Sequence, residues 1–369
     1  MKVLIACGGT GGHFYPGLVV GKKLLSHGIN VIFAIKKGDG GNRILNNEKL
    51  RYEEIDVVGF PRGSILKFAY TLFLYKLAKS LLQSLQIIIK HKIDVIISFG
   101  GYVSFPIALA GKILIKPLII HEQNVIPGMS NRILSLVADK IAISFCESKN
   151  FFIPIFRKKI IYTGLPIRFK DIPLDASMAY RKFSLLPGKR KLLVFGGSKG
   201  AHKINVVVSE TILKYYDEFR EKLQVIHITG ERDYVEVARR YKDIGIESCV
   251  YPYLDEIGYA YVVADFVIAR AGASTVAEIL YFKKPTIFVP YPYATDDHQK
   301  YNVMKLHELH LCEVLDDEMF TVDVVREYIH KFIETDIIDV IKSNLEKYKY
   351  EIHDEFFLQL VDNYRRHLS

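Results

Sequence analysis

The chain has 369 residues, half of them hydrophobic and a quarter charged, which is the composition of a globular protein rather than a disordered one. Its length exceeds what one compact core usually organises and suits two domains. The four cysteines are scattered, with no CxxC pair and no histidine spacing suited to zinc. They predict a reduced, cytosolic protein with small buried thiols.

Positive charge is concentrated in the first half of the chain. Residues 1–168 hold 23 Lys and Arg against 9 Asp and Glu, a net charge of +14. The remaining residues hold 27 against 32, a net charge of −5. Such asymmetry indicates that one half faces a polyanion, either nucleic acid or an anionic membrane. Because no zinc-finger or RNP-type motif accompanies the charge, we favour the membrane and expect no nucleic-acid partner.

The sequence predicts neither a signal peptide nor a spanning helix. Glycines follow the apolar segment Met1–Ala6 at once, where a signal peptide would continue its apolar region. No uncharged run reaches the roughly 18–20 residues that a spanning helix needs, and the longest, Val95–Gly111, is interrupted by glycines and a proline. We therefore expect a protein that is not integral to the membrane.

The first half alternates between short apolar strands and helices. A strand at Lys2–Ala6 precedes a helix over about Pro16–His27, which Gly28 is placed to terminate. Further strands are predicted at Asn30–Ile35, Asp94–Ser98, Pro117–His121 and Lys140–Ser144. This alternation predicts a mostly parallel sheet with helices on both faces.

A second series of the same kind starts after Pro187. Its predicted strands are Lys191–Phe195, Gln224–Thr229, Ser248–Tyr251, Phe266–Ala269 and Pro285–Pro290, and its helices lie near Ala201–Tyr216, Ser274–Phe282 and Gln299–Leu309. We therefore predict an α/β protein of two doubly wound, Rossmann-like domains with a cleft between them. The domains would cover residues 1–163 and 164–349, with a C-terminal helix at 350–369 that can pack back on the first domain.

In each predicted domain, a glycine-rich loop follows the first strand. Gly8–His13 reads GGTGGH and Gly196–Ala201 reads GGSKGA. Glycines let a backbone turn tightly near a ligand, and the amides at a helix N-terminus favour anions. Together the loops suit a diphosphate group, and His13 can act beside them as a base or a donor.

Three further segments carry polar groups at predicted strand ends. The segment 271–278 reads AGASTVAE, in which Glu278 suits the vicinal hydroxyls of a ribose. The same letters also fit a capping box, with Thr275 as N-cap and Glu278 at N3, and the pattern leaves both open. The segment His121–Asn124 reads HEQN after an apolar run and has too many polar groups for a simple turn, and Asp297–Gln299 is similar but weaker.

No DxD motif occurs, so we expect no metal at the site and no cofactor. The charge of a leaving group would then be met by backbone amides, helix ends and cations. The membrane candidate is Ile65–Tyr75, where aromatic residues and lysine interleave as in interfacial segments. For Leu77–Ile89, which follows, a buried helix is favoured.

These motifs resemble one bacterial family of transferases, of glycosyltransferase family 28. Its members add N-acetylglucosamine to undecaprenyl-pyrophosphoryl-N-acetylmuramoyl-pentapeptide. The resemblance covers nearly the whole chain, and HEQN followed by PG and NR is its most specific part. It rests on GGTGGH, GGYVS at Gly100–Ser104, HEQNVIPGMSNR at His121–Arg132, GGSKGA, RAGASTVAE at Arg270–Glu278 and DHQKYN at Asp297–Asn302.

The resemblance implies a GT-B fold, an inverting displacement and a peripheral location on the cytoplasmic face of the membrane. His13 and Glu122 match residues suspected of acid, base or acceptor roles, with the base left open between them. UDP-N-acetylglucosamine would be the donor and the undecaprenyl-linked sugar the acceptor. The matching donor-contacting positions are Thr10, Gly11, Gly12, Asn124, Arg168, Ser198, Leu254, Ala273, Ser274, Thr275, Val276, Ala277, Glu278 and Gln299.

Two departures from the family pattern occur. Leu165 stands where the family usually has asparagine in GNPVR, and Lys199 stands where it has glutamine in GGSQGA. Two other functions would share part of this pattern. A related GT-B glycolipid synthase would keep the glycine loops but not HEQN. A non-catalytic UDP-sugar-binding subunit would have an eroded first-domain site, yet His13, Glu122 and Asn124 are all present.

Overall fold

The computed structural model describes residues 1–59, 67–170, 172–197 and 199–368, with the backbone alone at 67–70 and 365–368. The chain divides into two compact units. The first comprises Met1–Arg168 together with Glu351–Ser369, and the second comprises Phe169–Tyr350. The boundary lies five residues after the expected one at 163, because Gly164 and the residues that follow it pack with the first unit.

The first unit is built on a parallel sheet of seven strands. Its strands are β1 Lys2–Ala6, β2 Asn30–Lys36, β3 Tyr52–Ile55, β4 Val95–Ser98, β5 Leu118–Glu122, β6 Lys140–Ile143 and β7 Ile160–Tyr162. Their spatial order is β3-β2-β1-β4-β5-β6-β7. The strand order therefore reverses between β1 and β4, which is where ligands bind in doubly wound sheets.

Helices cover both faces of this sheet. They are α1 Gly11–Ser26, α2 Gly41–Asn47, α3 Lys67–His91, α4 Gly101–Ile113 and α5 Met129–Leu134, followed by 3-10 turns at Cys146–Phe151 and Pro154–Lys159. Two apolar cores result, one on each face of the strands. The five inner strands are buried nearly throughout, as expected of a sheet that is covered on both sides, whereas the edge strands β3 and β7 are mostly half-buried.

The second unit repeats the plan with six parallel strands. They are β8 Arg190–Phe195, β9 Leu223–Ile228, β10 Ser248–Tyr251, β11 Phe266–Ala269, β12 Thr286–Phe288 and β13 Glu313–Val314, in the order β10-β9-β8-β11-β12-β13. Its helices are α6 Ala176–Lys182, α7 His202–Lys214, α8 Tyr216–Phe219, α9 Tyr234–Ile244, α10 Ile257–Val263, α11 Ala273–Phe282, α12 His298–Glu308, α13 Val322–Glu334 and α14 Ile337–Lys347. The α/β class and the two parallel, doubly wound sheets are as predicted.

The last helix, α15 Glu355–Leu368, belongs to the first unit although the second unit precedes it in the chain. Phe357, Leu360 and Val361 enter the core that α1 and β1 form. Lys23 of α1 pairs with the buried carboxylate of Asp354, at 3.1 Å. The return of the chain therefore completes the first unit rather than extending the second.

Three expectations need correction. Helix α1 begins at Gly11, not near Pro16. Gly11 and Gly12 form part of its first turn, and Pro16 lies inside the helix. Only Cys7 and Cys312 are buried thiols, whereas Cys249 is half-buried and Cys146 is exposed. Among the described residues, one helical segment, Thr71–His91, is long and apolar enough to cross a membrane, which the count of uncharged runs missed.

That segment passes the test by length and composition alone, which is weak grounds for a membrane span. Ser84, Ile87 and Ile88 are buried along one face of α3, which packs against α4. Leu82 and Ile89 of the same helix are more than 60% exposed. The expectation of a buried helix over Leu77–Ile89 therefore holds for one face only.

Candidate functional site

The first glycine loop presents His13 at the carboxyl end of β1. Thr10 is the N-cap of α1, and its carbonyl accepts hydrogen bonds from the backbone amides of His13 (3.2 Å) and Phe14 (3.0 Å). Gly11, Gly12 and His13 thus form the first helical turn instead of a free loop. This turn fixes the backbone position from which the His13 side chain extends.

Asp39, which the sequence analysis did not single out, binds the same loop. Its Oδ2 accepts from the Gly9 amide at 2.5 Å, and its Oδ1 accepts from the Gly41 amide at 3.1 Å. A carboxylate of the protein itself therefore uses the Gly9 amide that the glycine motif suggested for a phosphate. No local sequence pattern predicts this bond, because it joins residues that follow two different strands, β1 and β2.

The His13 imidazole is hydrogen-bonded to the HEQN segment, 110 positions away in the sequence. Its Nδ1 lies 2.9 Å from Gln123 Oε1. On its other side lies the backbone of Gly101, where a Cβ atom would come within 3.2 Å of His13 Cδ2. The structure thus brings together three of the motifs, GGTGGH, GGYVS and HEQN.

Glu122 is buried, and N–H groups surround its carboxylate. Oε1 accepts from the Asn124 amide at 2.9 Å and lies 3.4 Å from Asn124 Nδ2. Oε2 accepts from the Gly128 amide at 3.1 Å and from Asn131 Nδ2 at 2.8 Å. These bonds close the HEQN segment into a compact loop that ends at the start of α5, and they leave the carboxylate 1% exposed.

His121 lies deeper than Glu122 and is completely buried. Its ring packs against those of Phe99 and Phe357, with centroids 5.3 and 5.9 Å away. Burial lowers the pKa of His121 to about 4, against the opposing effect of its hydrogen bond to the Gly164 carbonyl. The imidazole is therefore neutral at physiological pH.

Asn124 and Arg168 complete the expected residues of the first unit. The Asn124 carbonyl accepts from Ser148 Oγ at 2.9 Å, which ties the loop to the 3-10 turn after β6. The Arg168 guanidinium lies 4.2 Å from the centroid of the Tyr15 ring. Tyr15 follows His13 in α1, so a cation is held near the helix that carries the imidazole.

The second glycine loop follows β8 at the point where the order of the second sheet reverses. Gly200 has φ +74° and packs on the carbonyl of Thr229, so a side chain there would collide with backbone. Lys199 is exposed beside it. Ser198, one of the expected donor-contacting residues, lies outside the described residues.

The start of helix α11 tests the capping-box interpretation of Glu278. The helix begins at Ala273 with Gly272 as N-cap, so Thr275 lies inside its first turn and is not a cap. The capping-box interpretation is therefore wrong, and Glu278 lies in the second turn. Its Oε2 accepts from Tyr261 Oη at 2.9 Å. Ser274 Oγ is buried without a hydrogen bond to any described residue.

The remaining expected residues lie at the same end of the second sheet. Leu254 follows β10 and is buried, and Val276 and Ala277 face the core from α11. Gln299 Oε1 accepts from the Tyr291 amide at 2.9 Å, after β12. Ala273–Glu278, Leu254 and Gln299 thus all follow carboxyl ends of parallel strands, although Gln299 is engaged with backbone.

An ion pair at this end was missed from the sequence. Arg270 Nη1 lies 2.6 Å from Asp317 Oδ1 and also donates to the carbonyls of Val289 and Pro290. It therefore holds the segment whose next amide, that of Tyr291, binds Gln299. Among the described residues, no group of three His, Cys, Asp or Glu side chains is arranged to hold a metal ion.

Comparison with known proteins identifies the family. A model of the glycosyltransferase family 28 N-terminal domain matches residues 3–143, and a model of the family's C-terminal domain matches residues 191–352. These matches cover most of the chain and lie on either side of residues 144–190. The chain belongs to glycosyltransferase family 28. This family 28 protein is thus a hexosyltransferase with one family domain in each unit.

Several relatives carry the same name. A UDP-N-acetylglucosamine–N-acetylmuramyl-(pentapeptide) pyrophosphoryl-undecaprenol N-acetylglucosamine transferase from Halothermothrix orenii is 38% identical over 326 residues, 86% of each chain. The protein of the same name from Thermodesulfovibrio yellowstonii is 36% identical over 90% of each chain. This family 28 transferase therefore matches those enzymes over nearly their full length.

Solved structures agree on the fold. The crystal structure of Acinetobacter baumannii MurG has a TM-score of 0.74 and 25% identity, over 98% of this chain and 99% of that one. The S. aureus MnaA-UDP structure has a TM-score of 0.71 over 100% and 97%, and at 13% identity it supports the fold alone. The expected GT-B architecture is thereby confirmed.

Proposed function

We propose that this family 28 transferase moves N-acetylglucosamine from UDP-N-acetylglucosamine to the C4 hydroxyl of a lipid-linked N-acetylmuramoyl-pentapeptide, completing the peptidoglycan monomer. The likeness to relatives of that name over 86–90% of the chain supports the substrates. The hydrogen-bonded imidazole of His13, at the end of β1, is the observation that carries the chemistry. Loss of the activity would accordingly disturb cell-wall growth, cell shape and division.

The donor is assigned to the second unit. Glu278 is not needed as a helix cap, so its carboxylate serves the ribose hydroxyls of UDP, which a carboxylate can bind with both oxygens. Ser274, with a buried hydroxyl that bonds no described residue, offers a further polar group at the same helix start. The residues assigned to the donor here are Arg168, Ser198, Leu254, Ala273, Ser274, Thr275, Val276, Ala277, Glu278 and Gln299, and from the first unit Thr10, Gly11, Gly12 and Asn124.

His13 is assigned as the base, and Glu122 as a residue that shapes the acceptor loop. The C4 hydroxyl oxygen of the acceptor attacks C1 of the donor sugar as the bond from C1 to UDP breaks. UDP departs with the electron pair, and the proton of the C4 hydroxyl passes to the His13 imidazole. A general base needs an accessible lone pair near the reacting hydroxyl. Glu122 accepts from three neighbours and is 1% exposed, which disfavours it for that task.

Peripheral attachment to the cytoplasmic face of the membrane is assigned to the first unit. A lipid-linked acceptor stays in the bilayer, so the enzyme has to approach it. Of the segment Ile65–Tyr75, residues 65 and 66 lie outside the described residues, and Leu74 and Tyr75 of α3 are 59% and 67% exposed. Met129 and Ile133 of α5 are also exposed, and both helices pack against α4. With the +14 charge of residues 1–168, these side chains suit an anionic interface.

A transfer assay tests the proposal. The protein is incubated with radiolabelled UDP-N-acetylglucosamine and, separately, the undecaprenyl-linked acceptor or diacylglycerol in anionic vesicles. The proposal expects label only in the undecaprenyl-linked product. Label in diacylglycerol would indicate a glycolipid synthase, and UDP-sugar binding without transfer to either lipid would indicate a binding subunit.

A further inference from the structure

A chain of hydrogen bonds runs inward from His13 through Gln123 and His121. His13 Nδ1 lies 2.9 Å from Gln123 Oε1, and Gln123 Nε2 lies 3.0 Å from His121 Nδ1. His121 Nε2 lies 3.3 Å from the carbonyl oxygen of Gly164. Gln123 and His121 are both buried, so the chain is shielded from water beyond His13.

Each proton in this chain can be assigned from its inner end. A carbonyl oxygen only accepts, and Ser144 Oγ, which lies 3.4 Å from His121 Nε2, donates its own hydrogen to the Glu122 carbonyl at 3.1 Å. His121 therefore carries its proton on Nε2, and the neutral ring then accepts at Nδ1. The Gln123 amide faces three acceptors on one side: His121 Nδ1 at 3.0 Å, the Phe99 carbonyl at 2.8 Å and the His121 carbonyl at 3.2 Å. Its NH2 group therefore points there, and Oε1 points at His13.

The assignment ends at His13. Because Gln123 Oε1 only accepts, His13 Nδ1 donates, and the lone pair of the neutral ring is on Nε2. We infer that Gln123, oriented by Phe99 and His121, is a positioning residue that holds His13 in the one tautomer able to accept a proton at Nε2. This rests on the proposed role of His13 as base.

The neutral amide also sets the charge of the site. A carboxylate at position 123 would stabilise the imidazolium and hold a proton on His13 before the reaction begins. The described groups that contact His13 include the Gln123 amide from the end of β5 and the Gly101 backbone at the start of α4, and His121 lies behind Gln123. His121 is the titratable member of that set, and its low pKa of about 4 keeps it uncharged.

The inner end of the chain is rigidly held. Gly164 has φ +64°, and a side chain there would collide with the backbone of Glu351. The Phe357 ring of α15 packs on His121. Residues 351–357, which return to the first unit after the second, thus support the residues that orient Gln123.

The direct test is the tautomer of His13, read from the ¹⁵N shifts of labelled histidine in the whole protein and assigned by the signal lost in His13→Asn. We expect Nδ1 protonated and Nε2 unprotonated at pH 8. A proton on Nε2 overturns the inference. This readout needs no turnover, so it stands apart from the proposed function, which fails instead if the wild type transfers no sugar.

Two variants then test the consequence for catalysis. Gln123→Glu should raise the pKa of the acidic limb of kcat by about one unit or more, as expected for a new carboxylate beside a base. Gln123→Met should lower kcat, by at most the roughly 10²–10⁴-fold that a general base contributes. The KM for the donor should stay within about twofold of the wild-type value. Gln224→Glu, the same change at a buried glutamine of the second unit, should leave the limb in place.

An acidic limb unchanged in a folded Gln123→Glu, or a normal kcat in a folded Gln123→Met, contradicts the inference. If neither variant folds, the wild-type tautomer still decides it. Folding is checked by the far-UV circular dichroism spectrum and by UDP affinity.

Discussion

The Tyr261 hydroxyl donates a hydrogen bond to the Glu278 carboxylate, with 2.9 Å between Tyr261 Oη and Glu278 Oε2. Tyr261 is buried and stacks on Phe282 at a centroid distance of 5.0 Å, so its position is fixed by the core. The bond occupies one of the roughly four lone-pair sites of an ionised carboxylate. The carboxylate is thereby oriented at the end of the second sheet.

Replacing Glu278 by glutamine should weaken UDP binding by roughly 1.5–3 kcal/mol, the usual cost of losing a charged hydrogen-bond partner. Isothermal titration with UDP measures it. Tyr261→Phe is the matched control, because it keeps the carboxylate and removes only its orienting bond, and its effect should be smaller. Unchanged UDP affinity in a folded Glu278→Gln would remove Glu278 from the donor site.

Catalysis should proceed without an added metal ion. The chain has no DxD motif, and the proposed site offers backbone amides, helix starts and Lys199 for the charge of the leaving diphosphate. Turnover in excess EDTA, with detergent-dispersed acceptor to exclude effects on vesicles, should match turnover in magnesium. Complete loss that magnesium restores would contradict this expectation.

Acid should destabilise the fold through its buried histidines. Burial lowers the pKa of His227 to about 3, and it lowers that of His121 to about 4. His227 is fully bonded as a neutral ring, with Asn205 Oδ1 at 3.1 Å and Tyr241 Oη at 2.9 Å. Between pH 6.5 and about 4 the unfolded chain binds protons that these folded sites do not, so the free energy of unfolding rises with pH.

The expected loss is about 2 kcal/mol for each buried histidine between pH 7 and pH 5, at roughly 1.4 kcal/mol per pKa unit. Urea unfolding at the two pH values measures it. His227→Gln should reduce the difference between the two pH values, whereas the exposed His27→Gln should not. Equal pH dependence in wild type and His227→Gln would show that His227 titrates normally.

The membrane assignment predicts a loss of vesicle binding when the exposed apolar side chains of α3 become polar. Leu72→Ser/Leu74→Ser/Tyr75→Ser should sediment less with anionic vesicles, since buried apolar area contributes about 25 cal/mol per Å². Binding by the wild type should weaken with salt, because the basic charge of the first unit is screened. Neutral vesicles separate the two contributions.

A control triple variant in the second unit replaces side chains of similar exposure. Val235→Ser/Met319→Ser/Leu213→Ser changes residues that are 74%, 59% and 44% exposed. It should bind anionic vesicles as the wild type does. If the α3 variant also binds normally while folded, the membrane site lies elsewhere.

Much of this architecture could be predicted from the sequence, because buried parallel strands are continuous apolar runs. The strands at Lys2–Ala6, Ser248–Tyr251 and Phe266–Ala269 have the predicted bounds. Helix starts were less predictable. Gly11 and Gly12 are typical of a loop, yet they form the first turn of α1 after Thr10 at the N-cap position. Gly272 takes the N-cap position that Thr275 was expected to occupy.

The relationships within the site could not be predicted, because they join residues far apart in the chain. The bonds from Gly9 to Asp39 and from His13 to Gln123 span 30 and 110 positions. Nothing in HEQN distinguishes Glu122, which is enclosed by N–H groups, from Gln123, which faces the imidazole. Only the register of β5 beside β4 and the path of α1 decide that difference.

The central claim is transfer of N-acetylglucosamine to one hydroxyl of the acceptor, and acceptors that differ only at C4 test it most directly. Wild-type protein is given radiolabelled UDP-N-acetylglucosamine with the undecaprenyl-linked N-acetylmuramoyl-pentapeptide or with its 4-deoxy analogue, each dispersed in the same detergent. The account predicts a labelled disaccharide lipid, with inverted anomeric configuration, from the first acceptor and none from the second. Label on the 4-deoxy lipid, or none on either lipid from folded protein that binds UDP, would contradict it.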